Sequence, residues 1–127
     1  MNSVQYILKN RPLSHQDKIL IKQLGRPEPL LQMKIKTVGK SRDFNRYFKK
    51  ETAYDRFPWM CGCLETNKLF CFVCLVVADS DAKISQWTNT GVTDLQHLQE
   101  RATRHAESTT HLSHLVDFNL LGATDVQ

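Results

Sequence analysis

The chain has 127 residues, 41% of them hydrophobic and 24% charged, which allows one small folded region with extra chain but not two full domains. Its formal net charge of +4 is unevenly held: residues 1–56 carry 13 Lys and Arg against 5 acids, whereas residues 57–127 carry 4 against 8. No segment approaches the roughly 18 apolar residues of a membrane span. Met1–Lys9 also lacks the apolar centre of a secretory signal, so a reducing intracellular compartment is expected. There, clustered cysteines hold metal more often than they form disulfides.

In chain order, residues 1–53 read as a basic, mostly flexible arm. Asp17–Leu24 suits one short helix stopped by Gly25 and Pro27, and Lys34–Lys40 alternates weakly like a strand. Pro12, Pro27 and Pro29 break up the rest, and no packed core is expected within the arm. Order is expected over 54–121. Phe57, Trp59, Cys61 and Cys63 fall on one face of a two-residue alternation, and Leu69–Val77 is an apolar run rich in aromatic and β-branched residues. With Glu65–Lys68 as the turn, this predicts a β-hairpin over about 57–63 and 69–73, with Cys71 and Cys74 at its end. Residues 79–83 read as a polar loop, and Trp87 as an apolar island that packs onto the hairpin.

Thr93 and Gln96 read as a capping box that opens a helix over 94–106. Leu95, Leu98, Ala102 and His105 share its inner stripe, while His97, Glu100, Arg101 and Arg104 face outward. Ser108–Thr110 interrupts this helix and caps a second amphipathic segment. That segment carries His111, Leu112, Leu115, Val116 and Leu120 and ends at Gly122, leaving 122–127 as a frayed tail. The expected fold class is α+β: a small zinc-centred module of a β-hairpin and one or two helices, behind a largely irregular arm.

The chemistry lies in two pairs. Cys71 and Cys74 are separated by two residues, and His105 and His111 by five. Two thiolates and two imidazoles from two short segments are the donor set of a structural zinc site, closed by four protein ligands with no open position. The thirty residues between Cys74 and His105 exceed the spacing of an ordinary two-cysteine, two-histidine finger. The plain alternative is a pair of buried cysteines and two ordinary helix histidines.

Cys61 and Cys63 read as core packing, although either of them, or His114, stands as a substitute ligand. His15 and His97 are expected at the surface. A thioredoxin-like role for Cys71 and Cys74 is disfavoured, because that site needs a helix starting at the pair within a βαβ unit and none is expected to begin at Cys74. Four protein ligands also leave zinc no water for hydrolysis, so no enzyme is expected. The aromatics Phe57, Trp59, Phe70, Phe72 and Trp87 read as core rather than as base-stacking platforms.

The basic arm points to a polyanion, most economically nucleic acid, against the alternative of a leader kept soluble by its charge. Arg42, Arg46, Lys49, Lys50 and Arg56, joined by Arg101 and Arg104 on the helix, are the candidate contacts. They would bind mostly phosphate and would be strongly salt-dependent. The other candidate partner is a protein, docked through the 111–121 helix. Neither a membrane nor a small-molecule substrate is expected.

From Phe57 to His114 the sequence resembles the TTF-type zinc finger of hAT-superfamily transposases and the proteins derived from them, with zinc finger MYM-type protein 1-like sequences the nearest group. The resemblance is carried by Trp59-Met-Cys-Gly-Cys63, Asn67–Leu75, Trp87–Leu98 and His105–His111, with Leu24-Gly-Arg-Pro27 matching in the arm. Ala106 and Val92 depart from the family, which commonly has glutamate and an aromatic there. The resemblance implies that Cys71, Cys74, His105 and His111 hold structural zinc, that the domain binds DNA, and that the protein works in the nucleus. Family members continue into an RNase H-like catalytic domain that this sequence lacks. A fragment or a stand-alone finger without transposase activity is therefore expected.

Overall fold

The computed structural model describes residues 1–37, 39–78 and 86–122; the expected loop at 79–83 and most of the expected tail lie outside them. The elements in order are α1 (Val4–Asn10), α2 (His15–Leu24), β1 (Lys34–Thr37), β2 (Phe44–Tyr47), β3 (Met60–Cys63), β4 (Lys68–Cys71), α3 (Phe72–Val77), α4 (Leu98–Ala106) and α5 (Thr109–Leu120). Short 3₁₀ turns occupy Lys50–Thr52 and Gln86–Thr88. The α+β class is as expected, with β1–β2 and β3–β4 forming two separate antiparallel hairpins.

The β3–β4 hairpin organises the molecule because each of its faces is covered. Alternation along the strands sends Met60, Leu69 and Cys71 to one side and Cys61, Cys63 and Phe70 to the other. On the first side they meet Trp59, Val73, Cys74, Trp87, Leu98 and Ala102. On the second they meet Val4 and Ile7 of α1, Ile21 of α2, and Leu75 and Val76 of α3. Asn67, with φ at 57°, closes the turn in the left-handed region that asparagine tolerates. Gly62 has a different reason to be glycine: a Cβ there would run into the Tyr54 hydroxyl, which donates to the Pro29 carbonyl at 2.7 Å.

Four expectations change. The arm is not irregular: Ser3 and Ser14 cap α1 and α2 through their side chains, and Val4, Ile7 and Ile21 are buried on the hairpin. Each helix is too short to stand alone and is stable here because it packs onto α3 within the core on the second face of β3–β4. The predicted helix at 17–24 is present and starts two residues earlier, while α1 and β2 are additions.

Second, Phe57 and Trp59 do not share a face with Cys61 and Cys63. Turns at 51–59 delay the strand to Met60 and swing both aromatics to the metal side. Third, the second strand ends at Cys71, and the apolar run continues as α3. A short, fully buried apolar run suits strand or helix equally; the Cys71 sulfur decides it by accepting from the Cys74 amide at 3.4 Å. Fourth, α4 begins at Leu98 rather than 94. Thr93 makes no cap; Asp94 instead accepts from the His97 backbone at 3.1 Å and from its ring at 2.8 Å.

Several arm cations point inward. Arg26 donates to the carbonyls of Phe57, Met60 and Tyr54 at 3.1, 2.7 and 3.0 Å. Lys22 caps the end of α5 through the carbonyls of Phe118, Asn119 and Leu121. The Leu24–Pro27 motif thus has a local physical meaning: Gly25 (φ 89°) ends α2, and Arg26 then clamps the turn that enters β3. Arg26→Ala would leave three partly buried carbonyls without their charged donor. We expect a loss of about 3 kcal/mol of stability, read as a lower urea midpoint, with Arg26→Lys recovering part of it.

Candidate metal centre

Cys71 closes β4 and caps α3, so Cys71 and Cys74 sit on one helical turn with both sulfurs on the same side. His105 lies in the last turn of α4 and His111 in the first turn of α5. Ser108 joins the two helices. Its hydroxyl donates to the His105 carbonyl at 2.8 Å and accepts from the His111 amide at 3.1 Å. The expected cap at 108–110 is therefore this serine, and it aims two imidazoles from different helices at one point.

The ligand atoms of Cys71, Cys74, His105 and His111 all lie within 4.8 Å of one another. His111 Nδ1 stands 3.5 Å from Cys71 Sγ and 3.6 Å from Cys74 Sγ, and His105 Nε2 stands 3.6 Å from Cys74 Sγ. Zinc–sulfur and zinc–nitrogen bonds of about 2.3 and 2.0 Å at tetrahedral angles give a sulfur–nitrogen edge of roughly 3.5 Å. The three measured edges match that figure. The four residues could hold a metal ion, His105 through Nε2 and His111 through Nδ1.

The site is closed. Cys71, Cys74 and His111 are 0, 1 and 2% exposed. Trp59 packs its ring 5.0 Å from His105 and 5.4 Å from His111, and Trp87 lies 5.3 Å from His105. Sequence reasoning placed both tryptophans in the core, which holds, but did not identify them as the wall of the site.

Electrostatics distinguishes the sulfurs. The Cys71 S–H, followed by imidazole donors from His105, His111 and His114, pulls the Cys74 thiol far below its ordinary value against the opposing effect of burial. Burial, then the adjacent Cys74, pushes the Cys71 thiol well up.

Of the substitute ligands, only the two cysteines are placed elsewhere. Cys61 and Cys63 lie on the opposite face of the hairpin, and burial pushes the Cys61 thiol up, as core packing predicts. His114 is half-buried beside Cys74 but outside the four-residue cluster. His15 and His97 are exposed, as expected.

The candidate nucleic-acid residues fall into groups. Arg46 and Lys49 line a groove of about 360 Å³ between β2 and the approach to α4. Arg101 and Arg104 line a second cavity beside Trp87 and His105. There Arg101 pairs with Asp94 at 3.3 Å and Arg104 with Glu100 at 3.2 Å, so that face is nearly neutral. Lys50 pairs with Asp55 at 3.0 Å, while Arg42 and Arg56 are exposed.

Fold and site together define a small α+β protein with a two-cysteine, two-histidine cluster able to hold a metal ion. No known family model, curated protein or solved structure matches the chain.

Proposed function

We propose that the chain is a zinc-stabilised module that binds DNA without catalysis, of the TTF-type kind found in hAT-derived proteins, and that it acts in the nucleus. The observation that carries the zinc reading is the buried cluster with its three sulfur–nitrogen edges of 3.5–3.6 Å. Thiolate and imidazole together favour zinc over calcium or magnesium, which take oxygen ligands. Thiol redox chemistry fits poorly, since it requires accessible sulfur and these sulfurs are enclosed. Among the described residues, no helix is long and apolar enough to cross a membrane.

The inward-facing Lys22 and Arg26 remove charge from the surface, as do Arg11 and Lys18, which donate to the carbonyls of Thr88 and Val77. Support for DNA binding therefore comes from the later cations Arg42, Arg46, Lys49 and Arg56, and only weakly from the paired Arg101 and Arg104. About four phosphate contacts imply a loss of roughly 100-fold in affinity for duplex DNA between 50 and 200 mM salt. Fluorescence anisotropy on a labelled duplex measures it. Absence of salt-sensitive binding to any nucleic acid would exclude this reading.

One observation favours the second reading, a zinc-stabilised protein-interaction module. Leu112, Val116 and Leu120 follow one another at i, i+4 and i+8 on α5 and are 49, 60 and 55% exposed. Leu115 instead packs toward the core. Charged substitutions at Leu112 and Val116 that abolish a protein association and leave DNA affinity intact would favour it.

A further inference from the structure

The groove at β2 differs from the rest of the basic surface. Its floor is apolar, with Leu98 buried and Leu95 partly so. Two cations, Arg46 and Lys49, line it and no carboxylate does, in contrast to the acid-paired arginines of α4. Two aromatics, Phe44 and Tyr47, stand at it 43 and 57% exposed. The Arg46 guanidinium lies over the Phe44 ring, 5.1 Å from its centroid, which leaves Tyr47 as the ring without a stacking partner among the described residues.

The polar atoms in the groove are incompletely paired. The Gln99 amide nitrogen donates to the Thr52 carbonyl at 2.6 Å, which fixes the orientation of the amide. Its Oε1 and the Arg46 Nε are then covered by protein without a hydrogen-bond partner. A covered donor and acceptor left unpaired are unfavourable, and both belong to residues that line the groove. Between them they call for a ligand that carries both a donor and an acceptor.

We propose that this groove seats one unpaired nucleobase, stacked on Tyr47 and met on its edge by Gln99 and Arg46, with a neighbouring phosphate on Lys49. A base supplies all three requirements together: a flat face, an edge with donor and acceptor, and an attached anion. A peptide amide offers the edge without the anion. A paired base in a duplex offers neither a free face nor a free pairing edge. The chain therefore takes a single-stranded or splayed nucleotide here in preference to intact duplex. The inference rests on the nucleic-acid reading above and specifies its ligand.

The test uses the full zinc-loaded chain and a fluorescein-labelled 12-nucleotide single strand, alongside the same sequence as duplex, titrated by anisotropy. The single strand is expected to bind more tightly. Tyr47→Ala is expected to weaken single-strand binding about fivefold or more and to leave duplex binding unchanged, with Tyr47→Phe retaining the wild-type affinity. Tyr47 is exposed on a hairpin outside both cores, so the variant should keep the wild-type thermal midpoint. Duplex bound as tightly as single strand, or single-strand affinity indifferent to Tyr47→Ala, overturns the base pocket alone. Salt-insensitivity of both ligands overturns the nucleic-acid reading with it.

Discussion

Cys74→Ser, or stripping the ion with a strong chelator, is expected to abolish cooperative unfolding of the metal side of the molecule. Structural zinc in small fingers contributes on the order of 10–16 kcal/mol of apparent binding free energy at neutral pH. A native domain has about 5–15 kcal/mol of net stability in all. The ion is thus comparable to the whole margin. Without it, Cys71, Cys74 and His111 remain buried against one another and His105 with no cation among them. The junction of α4 and α5 then loses its anchor to the hairpin.

The loss should be uneven, because none of the four ligands belongs to the second core. Val4, Ile7, Ile21, Leu75 and Val76 pack against Cys61, Cys63 and Phe70 on the far face of β3–β4. Near-ultraviolet circular dichroism, which reports Trp59 and Trp87, should collapse on chelation, while part of the helical far-ultraviolet signal from α1 and α2 survives. Acidification should act in the same direction. An ion binds both sulfurs only as thiolates, so protons compete for the site and metal is released as pH falls. A chelated protein that melts at the temperature of the loaded one would end the structural role assigned to the ion.

The site was more legible in the sequence than the fold around it. Cysteines two residues apart, and a histidine in phase with Leu98 and Ala102, announce ligands because coordination constrains spacing and helical phase directly. The arm was misread because its two helices are short and carry few apolar residues. What orders them is not periodicity but Ser3 and Ser14 at their starts and a hairpin face with room for Val4, Ile7 and Ile21. The charge asymmetry misled for a related reason. A formal count cannot tell Lys49 at a groove from Arg26 turned in against three carbonyls. The end of β4 was illegible because Phe72–Val77 is buried all round and has no polar face to reveal its period.

Trp59→Ala is expected to produce the largest effect of any substitution outside the ligands. The indole is 8% exposed and meets Trp87 edge-on at 5.1 Å, Phe57 at 5.5 Å and both ligand imidazoles. Truncating a buried tryptophan costs about 3–5 kcal/mol through lost contacts and the cavity left behind. At roughly 3–4 °C per kcal/mol, that lowers the melting temperature by about 10–20 °C. The cavity also opens beside His105 and His111, so water reaches the ion and competing ligands follow it. Metal transfer to a colorimetric chelator should therefore be faster in Trp59→Ala than in Trp87→Ala, since Trp87 contacts only His105 of the two imidazoles. Trp59→Phe should restore most of the stability and slow the transfer again. Equal transfer rates in the two alanine variants would reduce Trp59 to ordinary packing, because a cavity that leaves metal exchange untouched does not form part of the enclosure that retains the ion.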